Sequence, residues 1–188
     1  MAYLRLVVNP NDEEALRRVI NYPTRGIGKT TIDKITALAR HANVGIWQIV
    51  ATIKQTTLPN NAKEAIHGFY KMMQLFTDYA RQTDAYETAK YIARQANLLQ
   101  ELHNDKSVEG LSRYENVMEL FNSVKDFVDN KREVYSADMD NSLGAYLQEV
   151  SLLTDLDKDD DEVPRVRLTT IHNAKGLEFA CVYVVGLE

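Results

Sequence analysis

Asp155-Leu156-Asp157-Lys158-Asp159-Asp160-Asp161-Glu162-Val163-Pro164-Arg165-Val166-Arg167-Leu168-Thr169-Thr170-Ile171 is where the pattern of this chain changes. The run from Asp155 to Glu162 is almost entirely acidic, as solvated linkers are, and Pro164 blocks helix. Beyond it the residues are β-branched and partly alternating, which predicts a strand over Val166–Ile171. A continuous apolar run, Ala180-Cys181-Val182-Tyr183-Val184-Val185, predicts a second strand, buried on both faces as in a parallel sheet.

Everything before the acidic run has helical periodicity. Asn11-Asp12-Glu13-Glu14 places a cap and acidic residues ahead of Ala15, Leu16, Val19 and Ile20, and Pro23 ends that helix. Thr30 is read as the start of the next, with Asp33 in a capping-box-like position and Ile32, Ile35, Leu38 and Ala39 as its stripe. Ile46, Trp47, Ile49, Val50 and Ile53 predict a short third helix. After Pro59-Asn60-Asn61, a longer one carries Ile66, Phe69, Tyr70, Met73, Phe76 and Tyr79. Further helices are expected near 84–100, 112–131 and 141–155. These Met and aromatic stripes read as core rather than as cofactor contacts.

The expected fold is therefore mainly α, with a short C-terminal β segment. Two buried-type strands without the neighbours and covering helices that such a sheet needs read as part of a larger protein. Tyr3-Leu4-Arg5-Leu6-Val7-Val8 likewise reads as the tail of an apolar element that began earlier.

Composition narrows the function classes. Apolar residues make up 45% and charged residues 26%, as in a soluble globular protein. No apolar run approaches the roughly 18 residues a membrane helix needs, and the N-terminus shows none of the charged, apolar and small-residue regions of a signal peptide. Cys181 is the only cysteine, and no Cys/His cluster has zinc spacing, so no metal site is predicted and a reducing, cytoplasmic setting is expected. The net charge of −5 is unevenly spread. Residues 1–56 hold eight Lys/Arg against four Asp/Glu, while the remainder holds 14 against 23. A basic N-terminal third can meet phosphates while the rest stays acidic.

Two segments carry candidate chemistry. Thr24-Arg25-Gly26-Ile27-Gly28-Lys29-Thr30 joins the first two helices. Its Gly-Lys-Thr does not make an ATP-binding loop, because that motif needs a glycine five residues before the second one, where Pro23 stands, and no strand precedes it. It reads better as a phosphate clamp of the helix-hairpin-helix kind. Two glycines allow a tight turn, and a helix N-terminus favours an anion. Arg25 and Lys29 add charge and Thr30 a hydroxyl, so the site would grip a DNA backbone without reading bases. The other reading is a glycine turn that merely joins two helices.

The second segment is Thr169-Thr170-Ile171-His172-Asn173-Ala174-Lys175-Gly176-Leu177-Glu178-Phe179. It lies between the two predicted strands, where ligands of parallel sheets bind. Thr170 and His172 can donate to phosphate oxygens, Lys175 can supply charge, Gly176 allows close approach, and Glu178 can accept from a sugar hydroxyl.

Thr-x-His-x-Ala-Lys-Gly-Leu-Glu-Phe followed by an apolar strand resembles motif V of the UvrD/Rep/PcrA-type superfamily 1 DNA helicases. Tyr3-Leu4-Arg5-Leu6, Asn9-Pro10-Asn11-Asp12 and Arg18-Val19-Ile20-Asn21-Tyr22-Pro23-Thr24-Arg25-Gly26-Ile27-Gly28 resemble the same family in the same order, and Arg113-Tyr114-Glu115-Asn116-Val117 matches in part. The resemblance spans nearly the whole chain. It implies a helical 2B subdomain, residues 2–163, followed by the start of a RecA-like α/β domain, 2A, at 164–188. It implies that the turn from Thr24 to Thr30 contacts duplex DNA, that Thr170 and His172 lie near single-stranded DNA, and that Lys175, Gly176 and Glu178 approach ATP.

The parent that this implies is an ATP-dependent helicase moving 3′ to 5′, with ATP and Mg2+ as its cofactors. No catalytic residue is assigned to this stretch and no cofactor is expected bound to it, since phosphate cradling, metal and transition-state stabilisation must act together. Two alternatives remain open. The helical part may serve as a regulatory module that meets protein partners, or the parent may be a helicase-nuclease relative.

Overall fold

The computed structural model describes residues 1–135, 140–156 and 179–185, and it divides into two units, Met1–Leu152 and Leu153–Glu188. The first unit is helical. Its elements are α1 (Ala2–Val8), α2 (Glu13–Val19), α3 (Lys29–Ala42), α4 (Ile46–Ala51), a 3-10 turn (Ile53–Gln55), α5 (Asn60–Ala80), α6 (Ala85–Gln95), α7 (Leu98–Asn104), α8 (Val108–Tyr135) and α9, which starts at Leu143 and runs to Leu156.

Local chemistry sets most of the boundaries. Asp12, not Asn11, caps α2: its carboxylate accepts from the Ala15 N–H at 2.9 Å, and Glu13 and Glu14 follow in the first turn. That Ala15 hydrogen bond holds the Asp12 carboxyl below its ordinary range, with Arg5 at 2.7 Å adding to the effect. Asn43 ends α3 in the left-handed conformation at φ 54°, which Asn tolerates, and Val44 donates back to the Ala39 carbonyl. Asp84 caps α6 by accepting from the Glu87 N–H at 2.8 Å.

The core is built where the sequence stripes predict it. Ile66, Phe69, Met73 and Phe76 of α5 are buried, together with Leu6 of α1, Leu16 of α2, Ile35 of α3 and Ile92 of α6. The α5 helix is central: α1, α4, the 3-10 turn and α6 all pack on it. Tyr3 meets Phe76 edge-on at 6.4 Å, Trp47 of α4 tilts onto Tyr70 at 5.5 Å, and Tyr79 stacks on Tyr91 of α6 at 4.0 Å. The opening of α9 closes over α8, with Leu143 buried and Tyr146 against Phe127 at 5.5 Å.

Tyr3–Val8 lies within the helix α1, with Tyr3, Leu4, Leu6 and Val7 buried on α2 and α5. Two expectations change. Thr30 does not start α3. Gly28 is its N-cap, no side chain caps it, and so no capping box forms. In the second unit, Ala180–Val185 is described but forms no strand, and Val182, Tyr183, Val184 and Val185 are exposed. A strand of that type needs pairing partners on both sides, and no strand occurs among the described residues. The predicted strand Val166–Ile171 lies outside them. The mainly α fold stands.

Candidate nucleic-acid interface

The turn between α2 and α3 is fixed by its sequence from both sides. Asn21 precedes it and reaches over with its side-chain oxygen, accepting from the Arg25 N–H at 2.9 Å and the Ile27 N–H at 3.0 Å. Asn and Asp often organise turns in this way, by hydrogen-bonding backbone a few residues on. Gly26 sits at φ 75°, a conformation that L side chains rarely adopt. Ile27 is 0% exposed and pins the tip of the turn into the core. Its side chain is therefore out of reach of a ligand in solvent.

Arg25 also points inward. One guanidinium nitrogen donates to the carbonyls of Val19 at 2.9 Å and Pro23 at 3.1 Å. The other donates to the Tyr3 hydroxyl, and the guanidinium lies over the Tyr3 and Phe69 rings at 5.9 and 5.5 Å. The Tyr3 hydroxyl in turn donates to the Tyr22 carbonyl. Burial pushes its pKa up, so it stays a donor at neutral pH. Arg25 is thus the bolt that fastens the turn to α1 and α5. The basic residue expected to meet phosphate is engaged within the protein.

What the turn shows to solvent is different. Thr24, Gly26, Gly28, Lys29 and Thr30 are exposed. The first carbonyl to accept within α3 is that of Gly28, from Thr31 at 3.0 Å and Ile32 at 3.1 Å. The N–H groups of Gly28, Lys29 and Thr30 have no partner among the described residues. Lys29 likewise has no carboxylate within ion-pair distance there. Gly28 itself lies at φ −75°, ψ 169°, an ordinary extended conformation, and a Cβ placed on it meets nothing within 4 Å. The fold therefore requires glycine at 26 but not at 28. An Asn, Asp or Ser at 28 would cap α3 at least as well. Glycine leaves the helix entrance bare.

The sequence brought Thr24 to Thr30 together, and the structure keeps them at one turn. Sequence reasoning missed Asn21 and Tyr3. Asn21 was legible as a turn-former just ahead of Pro23. Tyr3 was not, because its role depends on the approach of α1 to α2. Thr170, His172, Lys175, Gly176 and Glu178 lie outside the described residues.

The turn does not fit a nucleotide, since Pro23 stands where a phosphate loop needs its first glycine and a helix, not a strand, comes before it. No group of three His, Cys, Asp or Glu among the described residues is placed to hold a metal ion. No helix among them is long and apolar enough to cross a membrane.

Residues 1–188 match the family described as the UvrD-like helicase C-terminal domain. The chain is 31% identical over 188 residues to the ATP-dependent DNA helicase PcrA of Staphylococcus epidermidis, and 31% identical over 194 residues to that of Bacillus subtilis. It is 29% identical over 188 residues to the protein of the same name from Staphylococcus aureus. Each comparison covers 100% of this chain and 25% of the relative, so the chain spans a quarter of the length of these proteins. A match across the whole length places this chain in the UvrD-like helicase C-terminal domain family.

Proposed function

We propose that this chain is the duplex-gripping part of an ATP-dependent 3′ to 5′ DNA helicase, with residues 2–163 as its helical 2B subdomain and 164–188 as the start of its second motor domain. The observation that carries the reading is the bare entrance of α3. Three N–H groups and a Lys29 without partners among the described residues, with a glycine the fold does not need, make a compact anion site. Such a site holds a DNA phosphate and carries no base preference. Thr24 and Thr30 flank it with hydroxyls, while Arg25 and Ile27 hold its shape from behind. In the same reading Thr170 and His172 serve single-stranded DNA. Lys175, Gly176 and Glu178 serve ATP with its Mg2+, which requires the rest of the motor.

The decisive variant is Gly28→Asp. It supplies a cap for α3, so the melting temperature stays level or rises slightly, by the few tenths of a kcal/mol that separate Gly from Asp at this position. It also sets a carboxylate where the phosphate would sit, so affinity for forked DNA, followed by fluorescence anisotropy at low salt, drops about tenfold or more. Lys29→Glu acts in the same direction and flattens the dependence of affinity on salt by about one phosphate contact. If Gly28→Asp binds as tightly as the parent chain, the site lies elsewhere. A further expectation concerns the chemistry: the purified chain shows no DNA-stimulated ATP hydrolysis, and turnover above background would remove this reading.

One observation favours a regulatory, partner-binding role instead. The outer side of α8 exposes Val108, Leu111 and Met118 at 83%, 54% and 40%. Titration with forked DNA at low and moderate salt separates the two, because a partner-binding module shows little affinity at either.

A further inference from the structure

A cleft of about 450 Å³ opens where α1, α2, α6, α7 and α8 converge in the first unit. Its wall is mostly apolar: Leu4, Val19, Ile92, Leu102 and Phe121, one from each of these helices, are all buried. The space exists because α6 turns small side chains toward it, Ala89 and Ala93, one helical turn apart. Protein interiors leave few voids larger than a water molecule. An unfilled apolar space of this size forfeits packing contacts, and its volume lies in the range of about 300–1,000 Å³ that small ligands occupy.

The charged side chains on this wall are of one sign. Arg18 of α2 and Arg113 of α8 line the cleft together with Asn116, and among the described residues no Asp or Glu does. Both arginines are more than half exposed, which puts their guanidinium groups at the mouth with the apolar wall behind. Each guanidinium has five donors and commits few of them. Arg18 holds Glu14 at 2.6 Å through one nitrogen, and Arg113 only approaches Asp105, at 3.7 Å. Asp105 does not depend on that contact, since its other carboxylate oxygen accepts from the Ser107 N–H at 3.1 Å and the Ser107 hydroxyl at 2.6 Å. Arg113 can therefore turn to another anion at little cost, because exposed ion pairs contribute little. Arg113, Asn116 and Val117 all line the cleft, and they come from a stretch of α8 to which the duplex grip gives no task.

We infer that this cleft binds a small organic anion with an apolar body, of the chemistry shared by medium-chain fatty acids and aromatic sulfonates. The body lies against Leu4, Ile92, Leu102 and Phe121, and the anionic group meets Arg18 and Arg113 at the mouth, with Asn116 as a neutral donor. An uncharged apolar molecule leaves the guanidinium groups unused, and a cation is repelled by them. This site does not require the turn to hold DNA.

The test uses the 188-residue chain, anilinonaphthalene sulfonate as a fluorescent apolar anion, and decanoate as competitor. Emission should rise saturably, with one dye per chain, while circular dichroism shows the helices intact, and decanoate should displace the dye. Decyltrimethylammonium, with the same body and the opposite charge, should displace it about tenfold less well or worse. Arg18→Gln with Arg113→Gln should weaken decanoate about tenfold or more and leave the melting temperature in place, because both side chains are exposed. Ala93→Leu fills the cleft, so the dye should no longer bind while the melting temperature holds or rises. Three results each overturn this site: no saturable dye binding by the parent chain, equal displacement by the ammonium, or undiminished dye binding by a folded Ala93→Leu chain. If Ala93→Leu does not fold, the arginine pair decides, and unchanged decanoate affinity there overturns the site as well. A chain that sediments as a dimer and takes up dye only on dilution to monomer gives the cleft to a second copy and has the same consequence.

Discussion

Arg25→Ala should lower the melting temperature of the chain by about 6–12 °C. The substitution removes a cation with partners on three sides: the Val19 and Pro23 carbonyls, the Tyr3 hydroxyl and the Phe69 ring. Hydrogen bonds from charged donors contribute about 1.5–3 kcal/mol each, and the acceptors left behind are partly buried, so a net loss of about 3 kcal/mol follows. For a chain of this size, each kcal/mol moves the midpoint by about 2–4 °C. Arg25→Lys should recover little, because an ammonium cannot span the two carbonyls and the hydroxyl at once. Thermal denaturation followed by circular dichroism measures both. A midpoint within 2 °C of the parent chain would show that these contacts are dispensable. DNA binding by these variants has to be read below their transitions, since Arg25 supports the turn from inside.

Ile27→Ala should be of similar size. The side chain is fully buried, and the glycines on either side of it have no side chains to fill the space. Buried Ile-to-Ala changes cost about 2–5 kcal/mol, from lost burial and the cavity left behind. The same substitution loosens the tip that Gly26 and Gly28 flank, so affinity for forked DNA should fall even at temperatures where the helices remain formed. Urea denaturation gives the first quantity and anisotropy at low temperature the second. If stability falls while affinity holds, the turn keeps its shape without its anchor, and the role given to Ile27 is wrong.

The helices of the first unit were legible because α3, α5 and α6 each bury one stripe, and a stripe is written in sequence as a period. Their ends were less so. Asn11 and Asp12 are both good caps, and only the chain direction after Pro10 decides that Asp12 takes the Ala15 N–H. Thr30 and Asp33 have capping-box spacing, but Gly28 already starts α3, which places Thr30 inside its first turn. Tyr3–Val8 has too few residues to show a period, and tertiary packing makes it a helix. The run at 180–185 was read from composition alone, and a strand depends on neighbours that its own residues cannot provide.

For the site, the turn itself was legible and the division of labour within it was not. Arg25 and Lys29 look equivalent in sequence, one on each side of Gly26-Ile27-Gly28. What separates them is the position of Tyr3, Phe69 and Met72, far away in the chain, which together receive one guanidinium and leave the ammonium outside.

The inward set of Arg25 also bears on time. A loop that must order itself around its ligand binds slowly and releases slowly, because each event carries a rearrangement with it. Here Asn21, Ile27 and Arg25 hold the backbone in place before any ligand arrives, and the three N–H groups at the entrance of α3 have no partner among the described residues. In the proposed role, encounter would be limited by diffusion and charge, and departure would need only the loss of a few screened phosphate contacts. Such a grip would be quick to make and quick to break. It would favour rapid exchange between neighbouring phosphates over long residence on any one of them.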